Sequence, residues 1–139
     1  MRTVSVRRRK GYAHSLTARH HTLIADEPPE DGGTDAGPRP TELLALSLAS
    51  CTAITLEMYA DRKEWDLGDL EVDVEYDLNV DGMSRLEVII KPGAPLSEEQ
   101  AERLRVIAAK CPVHRALTGE IEITDRVEPG PPAEPAHSA

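Results

Sequence analysis

The chain has 139 residues, of which 40% are apolar with no Phe, so a single domain with a modest Leu, Ile, Val and Ala core is expected. Its net charge of −9 argues against general nucleic-acid binding, and two Cys 60 positions apart form no zinc motif. Because no apolar segment follows the basic run of residues 7–10, we expect a cytoplasmic protein without a secretory signal, in which a permanent structural disulfide is not expected.

Short alternating segments open the chain. Residues 3–7, 13–18 and 21–25 predict an antiparallel hairpin or meander, with a turn at Lys10-Gly11. The first 25 residues carry six Arg or Lys and no acid. Two interpretations stay open: a basic edge strand that resists self-association, or a cation that reaches a thiolate or an anionic ligand. Residues 26–33 (DEPPEDGG) then predict a loop.

The stretch from Leu43 to Leu56 dominates the sequence because it contains no charged residue. Pro40 suits the first turn of a helix, and charge returns at Glu57, so we predict a helix from Pro40 to about Arg62. Fourteen uncharged residues with hydroxyls among them favour a core helix over a membrane span. The helix is apolar on more sides than one small sheet can cover, which predicts a homodimer.

A hairpin is the next predicted element. Residues 70–80 alternate strictly between apolar and polar side chains, which predicts a strand with one buried face and one acidic, wet face. Asp81-Gly82 is a turn signal, and residues 86–90 predict the return strand.

The last third of the chain predicts a helix, a break and a final strand. Ser97 and Gln100 form a capping-box pattern, and the helix they open extends to Cys111, where Pro112 breaks or restarts it. Residues 120–127 alternate and predict a last strand. The domain is therefore placed at 1–127, followed by a disordered Pro/Ala-rich tail at 128–139. This order of elements predicts an α+β fold with mostly antiparallel sheet.

Two thiols are the candidate reactive groups. Cys51 lies roughly 10 residues, or about 15 Å, inside the first helix, beyond the reach of the helix dipole. If Cys51 is reactive, a cation must come from elsewhere, and the basic N-terminal strands are the obvious source. Cys111 lies at a helix end, where a thiol can be partly exposed and mobile. An inert core Cys remains the other interpretation of each.

These residues resemble the OsmC/Ohr family of thiol-dependent peroxidases, and specifically its broad OsmC-like branch. The resemblance extends from about Val4 to Val127 and is carried by four motifs: residues 26–28 (DEP), 37–44 (GPRPTELL), 49–52 (ASCT) and 111–117 (CPVHRAL). It implies an OsmC-like fold, in which mostly antiparallel sheets wrap long central helices of an intertwined homodimer. Each active site of such a dimer lies at the interface between subunits.

The same resemblance implies the chemistry. Cys51 would be the peroxidatic thiolate and Cys111 the resolving thiol. The substrates would be organic hydroperoxides, preferred over hydrogen peroxide, and the reductant a dithiol such as the lipoyl group that serves the Ohr branch. No metal or organic cofactor is needed, and neither nucleic acid nor a membrane is an expected partner.

Two further catalytic positions are implied. In peroxidase members an Arg from the N-terminal hairpin contacts the thiolate, and a Glu directly after the Pro of the helix start holds that Arg. Here Thr41 follows Pro40, and Glu42 comes one residue later, a rotation of about 100°. A first-turn acid that complements the helix dipole is the other interpretation of Glu42. The Arg is assigned to Arg9, and the alternatives are Arg7, Arg8, Lys10 and Arg19.

Three functions follow as hypotheses. The first is a two-Cys peroxidase that reduces organic hydroperoxides to alcohols in oxidative-stress defence. The second is a non-catalytic homodimer of the same fold that binds a ligand or senses redox state. The third treats both thiols as core residues.

Overall fold

A computed structural model describes residues 1–133 and gives an α+β fold with antiparallel sheets, as predicted. It contains two such sheets and three helices. The elements in chain order are β1 (Ser5–Lys10), β2 (Ala13–Ala18), β3 (His21–Ala25), a 3₁₀ turn (Pro29–Asp31), α1 (Pro40–Lys63), β4 (Glu71–Asp77), β5 (Arg85–Lys91), α2 (Glu98–Ala108) and α3 (Pro112–Thr118).

The N-terminal sheet pairs β1, β2 and β3 in that order. Its register places Val6 opposite Leu16 and Leu16 opposite Leu23, so these three side chains form an apolar row on one face. Val6 and Leu23 are exposed within the single chain. The sheet therefore presents an uncovered apolar face, together with the basic residues of β1.

Helix α1 begins at Pro40 and ends at Lys63, one residue beyond the predicted exit, with Glu64 in the left-handed conformation as its cap. By length and composition alone, this 24-residue helix could cross a membrane. Its contacts with β4, α2 and α3 are those of a core helix instead. The expectation of burial on all sides is not met within one chain, since Leu46, Ile54 and Met58 are more than half exposed.

The main core lies where the C-terminal half of α1 meets α2 and the second sheet. Leu56 and Leu104 are almost completely buried at its centre. In that sheet β4 and β5 pair so that Val72 faces Ile90 and Val74 faces Val88. Full burial of an aliphatic side chain, as at Leu56 and Leu104, contributes about 1.5–3 kcal/mol.

The hairpin loop is wider than the predicted Asp81-Gly82 turn. β4 ends at Asp77 and β5 begins at Arg85, so Val80 lies in the loop and not in the strand. The cause is the side chain of Asn79, whose Oδ1 accepts a hydrogen bond from the Asp81 amide at 3.1 Å. The Asn79 amide in turn donates to Ser84 Oγ at 3.0 Å, and these bonds replace ladder pairing.

Helix α2 begins as predicted but ends at Ala108, three residues before the predicted end at Cys111. Ser97 Oγ accepts from the Gln100 amide, and Gln100 Oε1 accepts from the Ser97 amide, each at 3.0 Å, as the capping box predicts. Pro112 restarts the chain as the first residue of α3.

The predicted last strand is wrong for the single chain. Residues 120–127 are exposed and form no strand within the described part of the chain. An alternating pattern forms a strand only beside an open strand edge, and here the segment pairs with none of β1–β5. Of the predicted tail, residues 128–133 are exposed and irregular, and residues 134–139 lie outside the described residues.

Asp26 fixes the loop that leads into α1. Its carboxylate is 2% exposed and accepts four hydrogen bonds, from the amides of Glu27 (2.7 Å), Thr34 (3.2 Å) and Ala36 (3.1 Å) and from Thr34 Oγ1 (2.8 Å). The bond from Ala36, with those from Glu27 and Thr34, lowers the pKa of Asp26 to about 2 against the opposing effect of burial.

We expect Asp26→Asn to lower the melting temperature at pH 7 by several degrees, because an amide cannot accept all four bonds. A pKa lowered by folding gives stability that is present above the ordinary value of 3.8 and lost as the pH falls toward about 2. The difference from wild type should therefore shrink over that interval. Thermal unfolding followed by circular dichroism measures it, with exposed Asp61→Asn as control; a pH-independent difference would contradict this role.

Candidate active site

Cys51 and Cys111 are brought together although 59 residues separate them along the chain. Cys51 lies in the middle of α1 and is partly buried, whereas Cys111 caps the N-terminus of α3. Thr52, the next residue after Cys51, has its Oγ1 3.9 Å from Cys111 Sγ, so both thiols lie where α3 packs against α1. Both are free thiols in this structure.

Cys111 is completely buried, so the expectation that this thiol is partly exposed is wrong. Its Sγ accepts the amide hydrogen of His114 at 3.3 Å, and Thr52 Oγ1 lies 3.9 Å away on α1. As the cap residue of α3, Cys111 turns its sulfur inward toward α1 and away from solvent.

The electrostatic setting of Cys51 is mixed. Burial raises the pKa of its thiol, whereas a hydrogen bond from the Val113 amide lowers it. The neighbouring Cys111 raises this pKa further, and a side-chain bond from Thr55 lowers it, with the net direction upward. Within one chain the site therefore favours the thiol form of Cys51.

Val113 and Thr55 both lower the pKa of Cys51, and the sequence did not single out either residue. Val113 is the second residue of α3, where an amide has no partner inside its own helix. The Cys111-Pro112 pair in the sequence indicates the start of that helix, and therefore the presence of a free amide there. That the Val113 amide points toward Cys51 depends on how α3 packs against α1, which the sequence does not encode locally.

An open groove of about 770 Å³ lies beside the thiols, between α1, the β4–β5 hairpin and α3. Neither Cys lines it, but Leu48 does, one helical turn before Cys51. His114 also lines it, and the Nδ1 atom of His114 is buried without a hydrogen-bond partner in the described part of the chain. Apolar side chains of the hairpin and α3 complete the wall: Leu86, Val88 and Leu117.

Glu42 and Arg9 are not joined within the chain. Glu42 Oε1 accepts a hydrogen bond from the Arg39 amide at 2.8 Å, so its carboxylate caps α1. Arg9 lies on exposed strand β1, as do Arg7, Arg8 and Lys10, and Arg19 lies in the β2–β3 turn. Arg8 Nε is bonded to the Gly11 carbonyl at 3.1 Å.

Arg39, which the sequence did not suggest, is held by three carboxylates. Its guanidinium lies 3.0 Å from Asp31, 3.3 Å from Glu30 and 3.7 Å from Glu27. The hydrogen bond to Asp31 raises the pKa of Arg39. This cation therefore ties the preceding loop to the start of α1.

The family model described as OsmC-like protein matches residues 32–125, which include both Cys and most of the chain. The chain belongs to the OsmC-like family. The predicted resemblance is thereby confirmed, and the α+β architecture is the OsmC-like fold. Among curated protein sequences, none matches the chain.

Solved OsmC-like structures share this fold. A proposed osmotic stress induced and detoxification response protein from Psychrobacter arcticus is 25% identical, with a TM-score of 0.73 over 83% of this chain and 87% of its own. A proposed organic hydroperoxide resistance protein from Vibrio cholerae, with captopril in one of its active sites, is 26% identical, with a TM-score of 0.60 over 86% and 87%. Bacillus subtilis OhrB, an organic hydroperoxide resistance protein, is 24% identical, with a TM-score of 0.57 over 86% and 91%.

Proposed function

We propose that this OsmC-like protein is a two-Cys thiol peroxidase that reduces organic hydroperoxides in oxidative-stress defence. The observation that carries the proposal is that Cys51 and Cys111, on different elements, lie together where α3 packs against α1, with Cys111 Sγ 3.9 Å from Oγ1 of Thr52, the residue after Cys51. Two core thiols that only filled space would not need to meet. Family membership, and the hydroperoxide resistance named for some of its members, supports the same function.

In the proposed cycle the Cys51 thiolate attacks the distal oxygen of the hydroperoxide. The O–O bond breaks, Cys51 becomes a sulfenic acid, and the alkoxide takes a proton and leaves as the alcohol. The Cys111 thiol then displaces water from the sulfenic sulfur to form a Cys51–Cys111 disulfide. An external dithiol, such as a lipoyl protein, reduces this disulfide and is itself oxidised.

Leu48, Leu86, Val88 and Leu117 support an organic substrate, because they give the groove beside the thiols an apolar wall. Consumption of cumene hydroperoxide and of hydrogen peroxide, each with dihydrolipoamide as reductant, tests the function. We expect the organic peroxide to be consumed faster. Absence of dithiol-dependent consumption of either peroxide would contradict the proposal.

The alternative is a non-catalytic homodimer that binds a ligand or senses redox state. It is favoured by one observation: burial raises the pKa of Cys51 in the single chain, which disfavours a standing thiolate. Titration of the thiol by its alkylation rate separates the two. A pKa of Cys51 at or below neutrality supports the peroxidase, and one above the ordinary thiol range supports the alternative.

We further propose that the chain forms the intertwined homodimer. Exposed apolar side chains on three separate elements support it: Leu46, Ile54 and Met58 on α1, Val6 and Leu23 on the N-terminal sheet, and Ile121 and Ile123 on the unpaired segment. Light scattering at micromolar concentration should give twice the chain mass. A monodisperse monomer would contradict the dimer.

The raised pKa of Cys51 creates the need for a cation, and we propose that Arg9, paired with Glu42, supplies it across the dimer interface. Arg9→Ala should then raise the pKa of Cys51 by roughly 1–3 units, because a nearby positive charge favours the thiolate. The measurement is the pH dependence of iodoacetamide alkylation in a Cys111→Ser background, so that only Cys51 reacts. An unchanged pKa would move the role to Arg7 or Arg19, whose Ala variants are the matched comparisons.

A further inference from the structure

A second groove lies at the other end of the core. The last turn of α1, the following loop that carries Trp65 and the first turns of α2 border an open groove of about 710 Å³, a volume within the range of small-molecule sites. Its wall includes Tyr59, which follows Cys51 by eight residues or about 12 Å along the helix. No residue lines both this groove and the one beside the thiols, so binding in this groove is separate from the chemistry of the thiols.

Arg103 is held in this groove by Tyr59. Its Nε donates a hydrogen bond to the Tyr59 hydroxyl at 3.0 Å, and its guanidinium carbon lies 5.7 Å from the centre of the Tyr59 ring. Tyr59 is itself only 7% exposed and packs in the core, so the guanidinium has a rigid support. Because Nε makes this bond, the two Nη groups remain as donors in a fork that fits a carboxylate.

The two cations of the groove have no ion-pair partner in the described part of the chain. Lys63 Nζ lies 5.8 Å from the centre of the same ring, and neither Lys63 nor Arg103 forms an ion pair with any carboxylate among residues 1–133. Of the two acids on the wall, Glu102 is paired with Arg105 at 2.6 Å, which leaves Glu99 as the opposing charge. Two unpaired cations in one groove are notable in a chain of net charge −9.

An apolar surface lies beside these cations. The Trp65 ring packs edge-on against Tyr59 with the ring centres 5.5 Å apart, and Trp65 keeps part of its surface exposed in the groove. Val106 adds an aliphatic contact. The hydrogen bond from Arg103 lowers the pKa of Tyr59, which makes the phenol a better donor toward an anion.

We propose that this groove binds a small organic carboxylate, whose anionic group lies on Arg103 and Lys63 and whose aromatic or acyl body lies on Trp65. The site is independent of the thiol chemistry. It does not rest on the proposed peroxidase activity.

Trp65 is the only Trp in the chain, so its fluorescence reports directly on the groove. Titration with benzoate at constant ionic strength should give a saturable change, and neutral benzyl alcohol should bind at least about tenfold more weakly. Arg103→Gln should weaken benzoate binding by a similar factor. The matched control is Lys110→Gln, just beyond the end of the same helix, an exposed cation that does not line the groove and pairs with none of its acids, and it should leave binding unchanged.

Lys63→Gln, at an exposed helix position, gives a second test if Arg103→Gln lowers the melting temperature. Weaker benzoate binding in this variant supports the site. Equal binding of benzyl alcohol and benzoate would overturn the proposal, as would equal losses in the Arg103 and Lys110 variants. It is also overturned if inorganic phosphate binds as tightly as benzoate, or if benzoate produces no saturable change in Trp65 emission.

Discussion

Cys51→Ser should reduce the rate of cumene hydroperoxide consumption to the uncatalysed background, a loss of about 10³-fold or more, as expected when a nucleophile is removed. A serine hydroxyl is not ionised near neutral pH. The hydrogen bond from the Val113 amide, which favours a thiolate at this position, is too weak to ionise a hydroxyl. The assay is peroxide disappearance with a dithiol as reductant, under conditions in which wild type turns over many times.

Ser50→Ala is the matched control for this variant. Ser50 is the exposed neighbour of Cys51 on α1, and its hydroxyl donates to the Ser47 carbonyl and not to either thiol. We expect this control to keep its activity and fold. Consumption by Cys51→Ser at the rate of the control would show that Cys51 is not the nucleophile.

Cys111→Ser should stop the cycle after one turnover. The serine hydroxyl can accept the hydrogen bond that the His114 amide donates to Cys111 Sγ in the wild type, so the fully buried position should keep its packing. With no resolving thiol, Cys51 should remain as a sulfenic acid that dimedone labels, and should be open to over-oxidation. Mass spectrometry after one equivalent of cumene hydroperoxide measures the label.

Two outcomes would reverse these assignments. Dimedone label on Cys111 in the Cys51→Ser protein would make Cys111 the peroxidatic thiol. Sustained turnover by Cys111→Ser at the wild-type rate would mean that the reductant resolves the sulfenic acid directly.

Elements with a strong local signal could be predicted from the sequence. Pro40 and the charges after Leu56 give both ends of α1 to within a residue, and Ser97 with Gln100 gives the start of α2. These signals act within one or two helical turns, so the surrounding fold does not alter them. The alternation of residues 70–80 likewise predicts β4, although the Asn79 side chain ends it early.

Features that depend on distant parts of the chain could not be predicted. Residues 120–127 alternate as a strand does, but a strand also needs a partner strand, and this segment pairs with none of β1–β5. The burial of Cys111 depends on how α3 packs against Thr52 of α1. The hydrogen bond from the Val113 amide to Cys51 depends on the same packing. The sequence motifs therefore identified the two thiols but not the groups around them.

The oxidised state of the two thiols tests the central proposal most directly. Wild-type protein treated with one equivalent of cumene hydroperoxide, then denatured, alkylated and mapped by mass spectrometry without reduction, should yield the Cys51 and Cys111 peptides joined by a disulfide. Non-reducing electrophoresis should keep this protein at the mass of one chain, as an intramolecular link requires, with release of about one cumyl alcohol per disulfide. Recovery of both cysteines as alkylated thiols, with the peroxide unconsumed, would contradict two-Cys peroxidase chemistry at this site.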